Sequence, residues 1–192
     1  MSVNGHLVET GIGLSFFKDN KKLLGDDYFI WAKHWTTGKF ASIASKHGGI
    51  YLKEHWHQLS RSERKDQANQ LVYLQLLIDQ GLSSEAEKEL VAIASKQEHK
   101  GYWRLFKQLN HTNPTLAINF IEQEIKKQPQ EAELYSVLAN LAYNTQDYEL
   151  AKKAIQKALD IETTPNDQAL LACILEKEEE FEQANIVYKG LL

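Results

Sequence analysis

Two stretches of this chain, LANLAYNTQDYELA at residues 138–151 and LACILEKEEEFEQA at residues 171–184, share one pattern 33 positions apart. A Leu-Ala pair opens each stretch, an aromatic residue follows, and each stretch ends in alanine. The final alanines belong to a series of four, separated by 31, 34 and 33 residues: Ala86, Ala117, Ala151 and Ala184. Two helices approach closely only where a small side chain lies at their crossing, so a recurring alanine indicates a recurring helix contact.

A period near 34 residues with small residues at these points is typical of tetratricopeptide (TPR) repeats, which are helix–turn–helix units that stack on one another. The sequence therefore predicts an all-α fold, a right-handed TPR solenoid of antiparallel helix pairs. Residues 67–192 divide into four predicted repeats, at about 67–98, 99–129, 130–163 and 164–192. Residues 26–66 are expected to form a degenerate helical hairpin and a connecting helix. No structure is predicted for residues 1–25.

Glycines and capping residues mark the first predicted helix ends. In the N-terminal region Gly38 is expected to break one helix, and Gly48-Gly49 to end the next. A helix over 67–80 is predicted to stop at Gly81 in the left-handed conformation. Ser84 and Glu87 have the spacing of a capping box, which predicts the start of the following helix.

Three further helix starts are predicted in the second half of the chain. Asn113 is expected to be an N-cap with Pro114 as the first helical residue, where the missing N–H costs nothing. Asp147 is predicted to cap the helix that contains Ala151. Thr164 is predicted to cap the helix of the second quoted stretch.

Composition excludes several classes of protein. The 22 basic and 26 acidic residues give a net charge of −4, and without a long basic run this argues against a nucleic-acid binder. The single cysteine excludes an internal disulfide and fits a reducing compartment. No apolar stretch approaches the roughly 18 residues of a membrane span, and the N-terminus has no signal-peptide pattern. We therefore expect a soluble, cytoplasmic protein without a membrane span.

Two motifs and several residues between them form a more specific pattern: WHQLSR at 56–61, Tyr73-Leu74, Gly81, Ala86, and YKGL at 188–191. Over roughly residues 45–192 this pattern resembles the C-terminal TPR region of the HemY-type heme-biogenesis protein family of Gram-negative bacteria. The resemblance implies a non-enzymatic scaffold that organises heme-pathway enzymes or handles a porphyrin intermediate near the inner membrane. That family usually begins with two membrane helices, so this chain is expected to be a fragment or a shortened relative. It would lie at the inner membrane if the full-length protein carries those helices.

No arrangement of residues in the sequence predicts catalysis. His55 and His57 are two positions apart, so on a helix they point about 200° apart and cannot share a metal ion. Cys173 lies within a predicted helix and is expected to be a small, partly buried residue. We predict no enzyme activity, no metal site and no cofactor. In the alternative of a direct heme- or porphyrin-binding protein, the candidate ligands are His34, His55 and His57.

The predicted partner site is the concave face of the array, which the first helices of the repeats line. Trp103 has two interpretations: it covers the junction with a neighbouring helix, or it anchors a partner segment as a binding hot spot. Only Asn140 matches the polar pattern of chaperone-tail clamps, which makes that function improbable. A generic TPR adaptor unrelated to heme remains an alternative to the HemY-type scaffold. The predicted partner-binding residues are Leu71, Gln75, Trp103, Lys107, Ser136, Asn140 and Tyr143.

Overall fold

The computed structural model describes residues 27–97 and 100–191, with side chains described for 38–43, 48–97 and 101–191. Within these ranges all regular secondary structure is α-helical, which confirms the predicted all-α class. The chain forms two compact units, 1–82 and 83–192. The helices are α1 (Asp27–Gln58), α2 (Arg61–Lys65), α3 (Gln67–Asp79), α4 (Ser83–Ala94), α5 (Lys100–Lys107), α6 (Thr115–Lys127), α7 (Ala132–Asn144), α8 (Tyr148–Ile161), α9 (Pro165–Lys177) and α10 (Phe181–Lys189).

The predicted division of 67–192 into four repeats stays a prediction, and the boundary between the two units falls inside the first predicted repeat. The predicted segment 1–25 lies outside the described residues. No helix in the described ranges is both long enough and apolar enough to cross a membrane.

The first unit is held together by aromatic packing between α1 and α3. The ring of Trp56 on α1 lies flat against the ring of Tyr73 on α3, with centroids 4.3 Å apart and an interplanar angle of 4°. Phe40, which lies earlier on α1, is tilted against Trp56, with ring centroids 6.2 Å apart. All three rings are buried. Each such pair contributes about 0.5–1.5 kcal/mol beyond the burial of its surface.

The break in α1 lies at Gly48, as predicted, where the backbone leaves the helical region at φ 77° and ψ −177°. The prediction that Gly38 breaks a helix is wrong, because α1 continues through it. A single glycine inside a helix costs only about 1 kcal/mol relative to alanine, which a long helix tolerates. Gly49 has a different role, since a side chain there would collide with the end of the Leu82 side chain.

Capping hydrogen bonds define the ends of α2 and α3. Ser60 and Glu63 form a reciprocal capping box at the start of α2, which the sequence analysis did not predict. The Asp66 carboxylate accepts the Asn69 N–H at 3.0 Å and caps α3. The predicted helix over 67–80 is confirmed as α3, and Gly81 follows it with φ 74°, the left-handed stop expected there.

In the second unit the four recurring alanines lie where the sequence predicts close helix contacts. Ala86, Ala117 and Ala151 have no exposed surface, and Ala184 is 2% exposed. Each lies in the first turn of its helix, on α4, α6, α8 and α10 respectively. The pairs α7–α8 and α9–α10 pack against each other, and α8 also packs against α9. This stacking leaves no room for larger side chains at these crossings.

Two of the three helix starts predicted in the second half are confirmed. The Asp147 carboxylate accepts the Leu150 N–H at 3.1 Å, and Thr164 caps α9 with Pro165 as its first residue. The third is wrong by one position, because α6 begins at Thr115 and Pro114 is its N-cap. Pro114 has φ −82° and ψ 45°, outside the helical region, so it precedes the first turn.

Candidate partner-binding face

The first helices of successive pairs in the second unit, α5, α7 and α9, are joined by polar contacts. Lys107 Nζ on α5 lies 2.9 Å from Glu133 Oε1 on α7. The Asn144 side chain of α7 donates to the Leu109 carbonyl, just after α5, at 2.9 Å. On the other side of α7, the Ser136 hydroxyl donates to the buried Asp167 carboxylate of α9. These contacts fix the order α5–α7–α9 as neighbouring helices.

From the side chains that remain partly or fully exposed on these three helices, we select five as a candidate surface, which we call the first-helix face. Most of α7 is buried, because it packs against α5, α6, α8 and α9. Its open positions include Asn140 and Tyr143, which are half-buried. The face consists of Lys107, Asn140, Tyr143, Cys173 and Glu176.

Four predicted partner-binding residues are not part of this face: Trp103, which is described below, and Ser136, Leu71 and Gln75. Ser136 is 1% exposed and its hydroxyl already binds Asp167, so a partner would not reach it and the proposed face omits it. Leu71 and Gln75 lie on α3 in the first unit, where both are half-buried. The Gln75 amide donates to Asp79 Oδ1 on the same helix at 3.0 Å.

Trp103 lies at the junction of α5 and α6. Its ring stacks on Phe106 of the same helix at 5.9 Å and on Phe120 of α6 at 6.3 Å. Phe106 and Phe120 also stack on each other, at 5.7 Å. This geometry favours the first interpretation of Trp103, as a cover for a helix junction, although part of its side chain remains exposed.

Asn140 and Lys107 present polar groups that are already held in place. The Asn140 Nδ2 donates to the Ser136 carbonyl one turn earlier at 2.8 Å, which leaves its Oδ1 available as an acceptor. The Lys107 ammonium is neutralised by Glu133, so this part of the face presents a paired charge.

A tyrosine pair flanks the α9 part of the face. Cys173 Sγ lies 3.6 Å from the Tyr188 hydroxyl on α10. The hydrogen bond with Cys173, together with burial, raises the pKa of Tyr188 to about 12. Burial and the neighbouring Cys173 also raise the pKa of Tyr143, on α7. Both hydroxyls are therefore neutral near pH 7 and can donate hydrogen bonds. The prediction that Cys173 is a small, partly buried residue is confirmed.

Two polar clusters in the second unit were missed from the sequence. Lys152 on α8 forms ion pairs with Glu178 at 2.8 Å and Glu180 at 2.5 Å, in the turn between α9 and α10. Lys152 therefore joins this turn to α8. The pairing needs residues 26 and 28 positions apart in sequence, which no local pattern reveals.

The second missed cluster centres on Glu87. The predicted capping box with Ser84 is wrong, because α4 begins at Ser83 and Ser84 lies inside it. Glu87 Oε1 instead accepts the Ala117 N–H in the first turn of α6 at 2.8 Å, and Oε2 lies 3.4 Å from His111 Nε2. A sequence signal existed: Glu87 shares the buried stripe of Leu90, and a charge on such a stripe implies a buried partner.

The candidate heme ligands are not brought together among the described side chains. His55 packs edge-on against Phe40 at 5.5 Å, and burial together with Lys39 lowers its pKa. His57 is exposed, and the side chain of His34 lies outside those described. The described residues contain no cluster of three or more His, Cys, Asp or Glu side chains placed to hold a metal ion.

No protein-family model matches this chain, and no curated protein sequence matches it. Among solved structures it is similar to MamA 41-end from Desulfovibrio magneticus RS-1, a TPR protein. The TM-score is 0.51 and the sequence identity 16%, over 88% of this chain and 94% of that chain. At this identity the likeness shows the fold alone, which is the predicted all-α TPR type. The resemblance to the HemY-type family stays a prediction.

Proposed function

We propose that this protein is a non-enzymatic TPR scaffold that binds a protein partner through the first-helix face. The observation that carries the proposal is the side-by-side packing of α5, α7 and α9, joined by the Lys107–Glu133 and Ser136–Asp167 contacts. That packing holds a row of accessible side chains on rigid helices. Rigid positioning lowers the entropy cost of binding, which is the usual advantage of a repeat surface.

The chemistry of the face suits a peptide segment of a partner. Tyr143 offers aromatic area with a neutral hydroxyl, the type of residue enriched at binding hot spots. Asn140 offers an acceptor that can meet a backbone N–H. The proposal gives no residue a catalytic role.

We further propose that the partner belongs to heme biosynthesis, which would place the protein at the cytoplasmic side of the inner membrane. The support is the sequence resemblance carried by the motifs at 56–61 and 188–191. The alternatives are an adaptor unrelated to heme, and direct binding of heme or porphyrin.

The test is capture of partners by the immobilised protein from a lysate of its source organism, quantified by mass spectrometry. Tyr143→Ala and Asn140→Arg should each reduce capture, because one removes aromatic area and the other places a bulky charge on the face. A hot-spot loss of about 2 kcal/mol corresponds to roughly thirtyfold in affinity. Gln156→Arg, at an exposed position of α8, is the matched control. Circular dichroism confirms that each variant is folded.

Equal capture by all four proteins would contradict the use of this face. The identity of the captured proteins decides the heme proposal: heme-pathway enzymes that disappear with Asn140→Arg support it, and their absence from the captured set overturns it. Titration with heme and with protoporphyrin, followed by absorbance, tests direct binding. A saturable spectral change that His55→Ala abolishes would favour that alternative.

A further inference from the structure

We propose that one end of the first-helix face, formed by Tyr143, Cys173 and Glu176 together with the neighbouring Tyr188 of α10, binds partner segments that carry lysine or arginine. This inference rests on the proposed partner-binding function and names the chemistry of the partner.

The four residues come from three helices, α7, α9 and α10. Cys173 and Glu176 are one turn apart on α9, so they lie on the same side of that helix. Tyr188 of α10 reaches Cys173 from one side, with 3.6 Å between the hydroxyl oxygen and the sulfur. Tyr143 of α7 lies near the same two side chains, because Cys173 and Glu176 add to the burial that raises its pKa. Glu176 also raises the pKa of Tyr188, so its carboxylate lies near both phenols.

The Glu176 carboxylate is the fixed charge of this surface. It is exposed, and it forms no ion pair with a basic side chain in the part of the chain that the structure describes. By contrast, Lys152 neutralises Glu178 and Glu180. Lys177 is a basic group next to this surface. Burial raises the pKa of Tyr143, and the charge of Lys177 lowers that pKa by a smaller amount.

The excess of acidic residues in the second unit also favours a basic partner segment. Residues 83–192 carry 18 acidic and 12 basic side chains, whereas residues 1–82 carry 8 acidic and 10 basic ones. The Lys107 ammonium at the other end of the face is paired with Glu133. An approaching basic segment therefore meets a favourable potential, and an acidic one is repelled.

The two tyrosines supply the rest of the recognition. The aliphatic stem of a lysine or arginine can lie along a half-buried phenol ring while its charged group meets the ring face and the Glu176 carboxylate. The Tyr188 hydroxyl already bonds Cys173, and its oxygen keeps lone-pair capacity to accept a backbone N–H of the segment.

The test uses short fluorescent peptides in which lysine and arginine alternate with leucine and alanine. A matched peptide carries glutamate in place of each basic residue. Fluorescence anisotropy should show binding of the basic peptide that weakens as salt is added, and at least about tenfold weaker binding of the acidic one, a difference of about 1.4 kcal/mol. Failure of the basic peptide to bind up to millimolar concentration, or equal binding of the two peptides, would overturn the inference.

Glu176→Gln should weaken the basic peptide about fivefold, because it removes a charge contact of about 1 kcal/mol. Glu182→Gln makes the same change of net charge at an exposed position of α10 and should leave binding within about twofold. Equal effects of the two variants would mean that only the overall charge matters, which overturns the assignment to this surface. If Glu176→Gln has no effect while Asn140→Arg still abolishes partner capture, the scaffold proposal stands and the basic-segment inference is wrong.

Discussion

At the scale of single residues, Glu87 shows how two helices of the second unit depend on one buried carboxylate. Glu87 is 3% exposed. One oxygen of its carboxylate accepts the Ala117 N–H, and the other faces His111. Pro114 has no side chain that can cap α6, so the first turn of α6 depends on a group from α4. A buried charge is tolerated only with such partners.

We therefore expect Glu87→Ala to lower the free energy of unfolding by about 2 kcal/mol or more, since it leaves a buried N–H without an acceptor. Glu87→Gln keeps an acceptor oxygen and should cost less. Urea denaturation followed by tryptophan fluorescence measures both changes. Glu89→Ala, two positions along the same helix, is the control, and a cost equal to that of Glu87→Ala would show that the cap contributes nothing.

At the scale of elements, three helices are followed by the same backbone motif. The residue in the left-handed conformation is a glycine in only one of them. After α3, α7 and α9 the chain enters the left-handed region at Gly81, Gln146 and Glu179, with φ of 74°, 65° and 63°. At each end the following N–H bonds back to a carbonyl five residues earlier, the Schellman pattern. Residues other than glycine pay a steric cost there.

Replacing Gln146 with glycine should relieve that cost. We expect Gln146→Gly to raise the free energy of unfolding by about 0.5–1 kcal/mol, with part of the steric gain offset by the greater entropy of the unfolded chain. Thr145→Gly, one residue earlier at a negative φ of −95°, provides the comparison and should be destabilising. Thermal unfolding followed by circular dichroism measures both, and a lower melting temperature for Gln146→Gly would contradict the assigned left-handed turn.

How far the sequence predicts each element depends on whether its determinants are local. The stop at Gly81 and the caps at Asp147 and Thr164 use residues within one turn of the helix end, and all three are confirmed. The cap of α6 comes from Glu87, 30 residues earlier, and therefore escaped a local analysis. The same holds for the candidate site, where Ser136 has groove spacing on α7 but is covered by Asp167 of α9.

At the scale of the whole molecule, low sequence identity is compatible with a shared type of fold. The chain shares only 16% identity with the MamA structure over 88% of its length, and still has the same type of fold. The recurring alanines are buried, so we expect larger residues at these positions to be destabilising. They carry no information about the partner, which we propose the accessible side chains of α5, α7 and α9 recognise.

Site-specific photo-crosslinking tests the central claim, that partners bind the first-helix face, most directly. A photoreactive phenylalanine analogue replaces Asn140 on α7 in one protein and the exposed Gln156 on α8 in another. After irradiation in the source lysate, we expect covalent adducts to partner proteins from position 140 and none from position 156. Adducts from position 156 alone, or equal adducts from the two positions, would contradict the account.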